Sequence, residues 1–211
     1  MKNMLIRLLA CLMMAAMLIS CVAMAETAEA VVEETEIETV EWVDANGLVN
    51  FSVPADWTSF DSDLIVSMIK DMVDQGLLDE AGANEYAQQL MAQVESVYAF
   101  FYAADFVGNM NVTVADTMGE SMIDAFDVLK TSFEAQYTQM GATVNSFEIA
   151  KYGEYDVIVC KIEYLGSSQT QILIQTADCA SMLTFTFAGS AQDAVDLVMN
   201  SVVLNPVVEA E

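Results

Sequence analysis

The stretch TVNSFEIAKYGEYDVIVCKIEYLGSSQTQILIQTADCASMLTFTFA, residues 143–188, decides the fold. Three runs rich in Val, Ile, Tyr and Thr (Thr143 to Ala150, Tyr155 to Tyr164, Gln169 to Thr176) are separated by Gly153 and by Gly166-Ser167-Ser168. β-Branched and aromatic residues suit a pleated strand, and short breaks containing glycine read as hairpin turns. A fourth run, Met182 to Ala188, alternates: Leu183, Phe185 and Phe187 face one way, Thr184 and Thr186 the other. Adjacent strands joined by short turns pair antiparallel.

Helical spacing flanks this block. Met122, Phe126, Leu129, Phe133 and Tyr137 predict a long helix from about Glu120 to Met140, stopped by Gly141. Ala191 to Met199 predicts a last helix that leads into the apolar Val202-Val203-Leu204. Upstream, Asn109 to Ala115 and the aromatic Val97 to Ala103 read as strands. Thr39 to Asp44 and Leu48 to Val53 flank Asn46-Gly47, a hairpin signal in which both turn residues tolerate positive φ. Pro54 ends that hairpin, and Trp57 is expected to fold its indole back on the sheet. Asp61 or Ser62 can cap a helix carrying Leu64, Ile65, Met68, Ile69 and Met72 on one face, with Gly76 as its stop. A second helix is expected over about Asp79 to Glu95, with Ala87, Leu90, Met91 and Val94 on a stripe. The class is therefore α+β, a mainly antiparallel sheet whose faces helices must cover.

Several segments then resemble a known group. VNFSVPADW (Val49 to Trp57) resembles the strand-Pro-x-x-Trp entry of PsbP-like domains. NVTVADT (Asn111 to Thr117), the long helix, YGEYDVIVCKIEY and the closing LTFTFAGSAQDAVDLVMNSV follow in the order those domains use. The group includes chloroplast PsbP, Ran-binding factors of nuclear transport and bacterial envelope proteins of the DcrB type. The resemblance covers about residues 38–204 and implies an α/β/α sandwich, a scaffold used for binding rather than catalysis. Metal contacts through imidazole cannot be carried over to a chain without histidine. Ran binding has no matching residues here, and a shared fold does not transfer a function.

The chain begins with Lys2 and Arg7, an apolar run from Leu8 to Ile19, and Ser20-Cys21-Val22-Ala23-Met24-Ala25. That is the build of a secretory signal peptide over residues 1–25. The apolar run is shorter than the roughly 20 residues a membrane span needs. Ala23-Met24-Ala25 fits cleavage after Ala25, which releases the protein. Leu18-Ile19-Ser20-Cys21 resembles a bacterial lipobox, in which the Cys21 thiol takes the lipid and anchors the chain. Both readings place the protein outside the cytoplasmic membrane. Residues 26–37 then form an acidic spacer without a basic residue, and residues 205–211 a short acidic tail.

Cleavage removes Lys2 and Arg7, leaving Lys70, Lys130, Lys151 and Lys161 against 32 acidic residues and no histidine. Such a surface repels phosphate backbones and anionic headgroups, which argues against nucleic acid or a membrane surface as partner. A protein partner, a cation, or solubility alone accommodates the charge.

Catalytic patterns are sparse. Ser67-Met68-Ile69-Lys70 matches S-x-x-K, in which the lysine helps activate the serine, but no S-D-N or K-T-G motif accompanies it. Ser-His-Asp and Cys-His devices cannot be built without histidine. Asp61 with Asp63, or Asp124 with Asp127, could do acid–base work, yet in so acidic a chain they read as solvated helix ends. No calcium loop of the D-x-[DN]-x-[DN]-G type occurs. Cys160 shares a face with Ile158 and Ile162, which suits a core position. Hairpin pairing sets it opposite the middle of the next strand, away from Cys179. The residues thus favour a non-enzymatic binding module of the envelope or extracellular space that uses one face of the sheet or the helix pair at 62–95, without catalytic, metal or cofactor residues. A hydrolase using Ser67 and Lys70 and a cation-responsive acidic protein are the alternatives. Intact mass of the native protein is expected to show a chain starting at Glu26 or an acylated chain starting at Cys21; a mature population starting at Met1 contradicts export.

Overall fold

The computed structural model describes residues 37–76, 79, 82–84, 87–88, 91, 97–104 and 108–205. The signal peptide, nearly all of the acidic spacer and tail, and most of the expected second helix lie outside them; residues 82–84, 87–88 and 91 are helical. The elements run β1 (Thr39–Val43), β2 (Val49–Pro54), β3 (Thr58–Ser59), α1 (Ser62–Asp74), β4 (Ala99–Tyr102), β5 (Asn109–Asp116) and α2 (Phe126–Gln139). They continue with β6 (Thr143–Tyr152), β7 (Tyr155–Tyr164), β8 (Ser167–Gln175), β9 (Ser181–Ala188), α3 (Gln192–Ser201) and β10 (Val203–Leu204).

Seven strands form one antiparallel sheet in the order β3-β4-β5-β9-β8-β7-β6. A smaller antiparallel sheet, β1-β2-β10, packs against it. Strand alternation divides the core. Val112, Val157, Val159, Ile172, Ile174, Phe185 and Phe187 face β2 and α3, meeting Phe51, Val195, Val198 and Met199. The intervening Ile158, Cys160, Ile162 and Leu173 face α2, meeting Leu129, Phe133 and Tyr137. Farther along that second face, α1 sets Ile65 and Ile69 on Phe60 and Phe100. The large sheet is therefore a middle layer covered on both faces, an α/β/α sandwich with the small sheet added beside α3.

Local chemistry accounts for the boundaries. Asp61 caps α1, its Oδ1 accepting the Leu64 N–H at 2.9 Å. Gly141, at φ +79°, closes α2, where the Ala142 N–H donates to the Tyr137 carbonyl at 2.9 Å. That helix begins at Phe126, later than the expected Glu120, because the chain from Thr117 to Ala125 is held in turns. There the Met122 N–H donates to Gln175 Oε1 at 3.0 Å. Met68 also departs from the expected core face: it is exposed, and Val73 packs against the α1 cluster instead.

The first hairpin turns differently from its Asn-Gly signal. Only Gly47 takes positive φ, and Asp44 organises the loop. Its carboxylate accepts the Asn46 N–H at 3.0 Å, the Leu48 N–H at 2.7 Å and the Tyr98 hydroxyl at 2.5 Å. Burial alone would raise this carboxyl's pKa. The hydrogen bonds from Tyr98, Asn46, Leu48 and Val49 together outweigh that effect, and the pKa lies below the ordinary carboxylate value. Trp42 stacks on Phe51 at 4.8 Å beside this loop, and Trp57 lies against the same core.

Phe133 tests the layering. It is buried, with its ring 5.2 Å from Phe147 of β6 and 5.9 Å from Tyr137. Phe133→Ala is expected to cost about 3–5 kcal/mol in urea unfolding. A loss below about 1 kcal/mol would place α2 in solvent and refute the sandwich.

Candidate functional site

The residues with catalytic potential do not converge. Ser67 and Lys70 are both exposed on α1. Asp61 is occupied as a cap, and Asp124 and Asp127 are exposed around the start of α2. Cys160 is buried opposite Gln171, burial pushing its thiol up to about 12, while Cys179 sits in the β8–β9 turn; both are free thiols. Among the described residues, no group of three or more His, Cys, Asp or Glu side chains could hold a metal ion. Cys21 lies outside the described residues.

Two other places carry unusual physics. The first is a pair of loops where β5, β8 and β9 end together. The Thr117 N–H donates to the Ala180 carbonyl at 3.0 Å, and the Gly119 N–H to the Cys179 carbonyl at 3.1 Å; the Thr117 hydroxyl also donates to Cys179 O. Gln175 binds the loops from below, its Nε2 donating to Glu120 O at 2.7 Å and to Thr117 Oγ1 at 3.1 Å. Asp178 closes its own turn by accepting from the Thr176 hydroxyl at 2.6 Å and the Ala180 N–H at 3.0 Å, and these bonds lower its pKa.

This scaffold holds Met118 at φ +51° and Cys179 at φ +55°. Left-handed backbone costs a residue with a Cβ about 1–2 kcal/mol. Met118 is also 65% exposed, among the exposed carboxylates of Asp116, Glu120 and Asp178. Its N–H is held by Asp116 Oδ1 at 2.7 Å. An apolar side chain is thus presented to solvent at two costs, strain and exposure, inside an acidic rim.

The second place is the centre of the large sheet on the α1/α2 face. One cross-strand row reads Phe100, Asn111, Thr186, Gln171, Cys160, Phe147 from β4 to β6. The next reads Thr113, Thr184, Leu173, Ile158, Ile149. Apolar flanks lie under the two helices, and a buried polar seam lies between them. Gln171 Oε1 accepts the Tyr137 hydroxyl at 3.0 Å. Asn111 Oδ1, Thr113 Oγ1 and Thr184 Oγ1 have no hydrogen-bond partner among the described residues. An unpaired buried polar group costs about 1–3 kcal/mol.

Neither place announces itself in the sequence. The Met-Gly pair at 118–119 has no motif around it. The alternation of Thr184 and Thr186 against Leu183, Phe185 and Phe187 is plain, but it does not distinguish a polar face in solvent from one under helices.

No protein-family model matches the chain, and no curated protein does. Among solved structures, one similar chain comes from Bacteroides thetaiotaomicron VPI-5482, at 15% identity over 80% of this chain with a TM-score of 0.43. This chain spans about half, 49%, of that one's length. The solution structure of cyanobacterial PsbP (CyanoP) from Synechocystis sp. PCC 6803 matches 83% of this chain and 98% of its own, at 11% identity and a TM-score of 0.50. The likeness is one of fold, and the domain has the PsbP-like α+β fold.

Proposed function

We propose that this is a non-catalytic interaction module acting outside the cytoplasmic membrane, which engages a positively charged protein partner through the loops at 116–122 and 176–181. The observation that carries this reading is Met118, held in a left-handed conformation and 65% exposed by a network that satisfies the loops around it. Stability alone favours glycine at such a position, and strain at a surface loop is more often tolerated where contact with a partner uses it. Methionine suits a contact that must adapt, because its side chain is flexible and polarizable. The carboxylates of Asp116, Glu120 and Asp178 favour a cationic rim on the partner and faster encounter with it. The net charge of −26 works in the same direction over longer range.

The hydrolase alternative needs Ser67 and Lys70 to share a water-excluding concave site with the reacting group. Their exposed positions on α1 support the binding reading over it. Release or lipid anchoring at Cys21 sets where the module meets its partner. The acidic spacer of residues 26–37 gives an anchored domain reach from the membrane.

Met118→Gly separates contact from stability. The variant is expected to be as stable as the wild type, or more stable by up to about 1 kcal/mol, since glycine adopts positive φ without a Cβ penalty. Partner capture from the native envelope fraction is expected to fall at least tenfold and to weaken steadily as salt is raised. Equal capture by both proteins, or capture insensitive to salt, contradicts this contact surface.

A further inference from the structure

The three unpartnered atoms of the polar seam stand close together on adjacent strands. Thr113 and Thr184 are direct cross-strand partners, and Asn111 precedes Thr113 by two residues on the same face of β5. Asn111 and Thr184 are each 1% exposed and Thr113 is 8% exposed. We propose that this seam is an internal water site, in which ordered water bridges Asn111 Oδ1, Thr113 Oγ1 and Thr184 Oγ1 beneath the α1/α2 face.

Geometry supports a guest of that size. Directly opposed residues on one face of an antiparallel pair have Cβ atoms roughly 4.5–5.5 Å apart. A molecule that bonds both hydroxyls from between them has the dimensions of water, and a buried water needs about two to four polar partners. Charge supports it as well. The two cross-strand rows hold amides, hydroxyls and a buried thiol but no ionised side chain, so a charged guest would be buried without a counter-charge. The seam also lies between two separate apolar clusters, one under α2 and one under α1. Water there gives the polar centre the partners that neither apolar cluster offers.

Two measurements test the site. A high-resolution crystal structure of the full chain is expected to show ordered water within hydrogen-bond distance of Thr113 Oγ1 and Thr184 Oγ1. Thr184→Val, nearly isosteric, is expected to lower the thermal midpoint, because it removes one partner from a bound water. Thr113→Val/Thr184→Val is expected to lose the density altogether, and to fall by less than the sum of the two single changes because both act on one water. A dry seam reverses the sign: removing an unpaired hydroxyl would raise the midpoint of each single variant, additively. That result, or a structure with the hydroxyls bonded to protein atoms and no water, overturns the proposal. Density for an organic molecule on the same atoms would overturn the assignment to water.

Discussion

Burial of the central strands on both faces is the constraint on which the rest of the structure depends. A strand covered on one side can alternate apolar with polar residues, but β7 must place Val157 and Val159 against one layer and Ile158, Cys160 and Ile162 against the other. Each layer then needs its own cover. The side facing Val159 receives α3 and the small β1-β2-β10 sheet, and the side facing Ile158 receives α2. A shift of one residue in the pairing of β7 with β8 would exchange the two sets, so register and layering are fixed together.

The same constraint produces the oddities. Covering both faces buries whatever the middle strands carry there, and on the α1/α2 face β5 and β9 carry asparagine and threonine. The sheet's ends are where the chain must turn sharply, and three of these connections use residues with side chains at positive φ. Leu165, at φ +50° and 82% exposed, forms a two-residue turn with Gly166; Met118 and Cys179 lie in loops at the opposite end. The Met118 end is cross-linked by the side chains of Gln175, Thr117 and Asp178, so its shape is imposed by a network instead of being left to a short turn.

The strands from 143 to 188 were legible because β-branched runs and glycine breaks act locally. So was the opposition of Cys160 to the middle of β8, since a hairpin's turn sets its register. The start of α2 was not, because the carboxamide of Gln175, more than fifty residues away in sequence, holds Met122 in a turn. Nor was the turn of the first hairpin, where Asn46-Gly47 signals one geometry and the Asp44 carboxylate, stapled to Tyr98, dictates another. Local patterns declare the strands; contacts between distant residues decide where helices begin and which polar residues are buried. For the same reason the exposed Ser67–Lys70 pair stood out in the sequence while the loop around Met118 did not.

The sandwich and its central sheet carry every other inference, and amide hydrogen exchange tests them most directly. Protons of β7, β8 and β9 between Val157 and Phe187 are expected to exchange only through global unfolding, with those of the edge strands β1 and β6 faster. Local opening of β8 and β9 well below the global unfolding free energy would contradict a sheet buried on both faces.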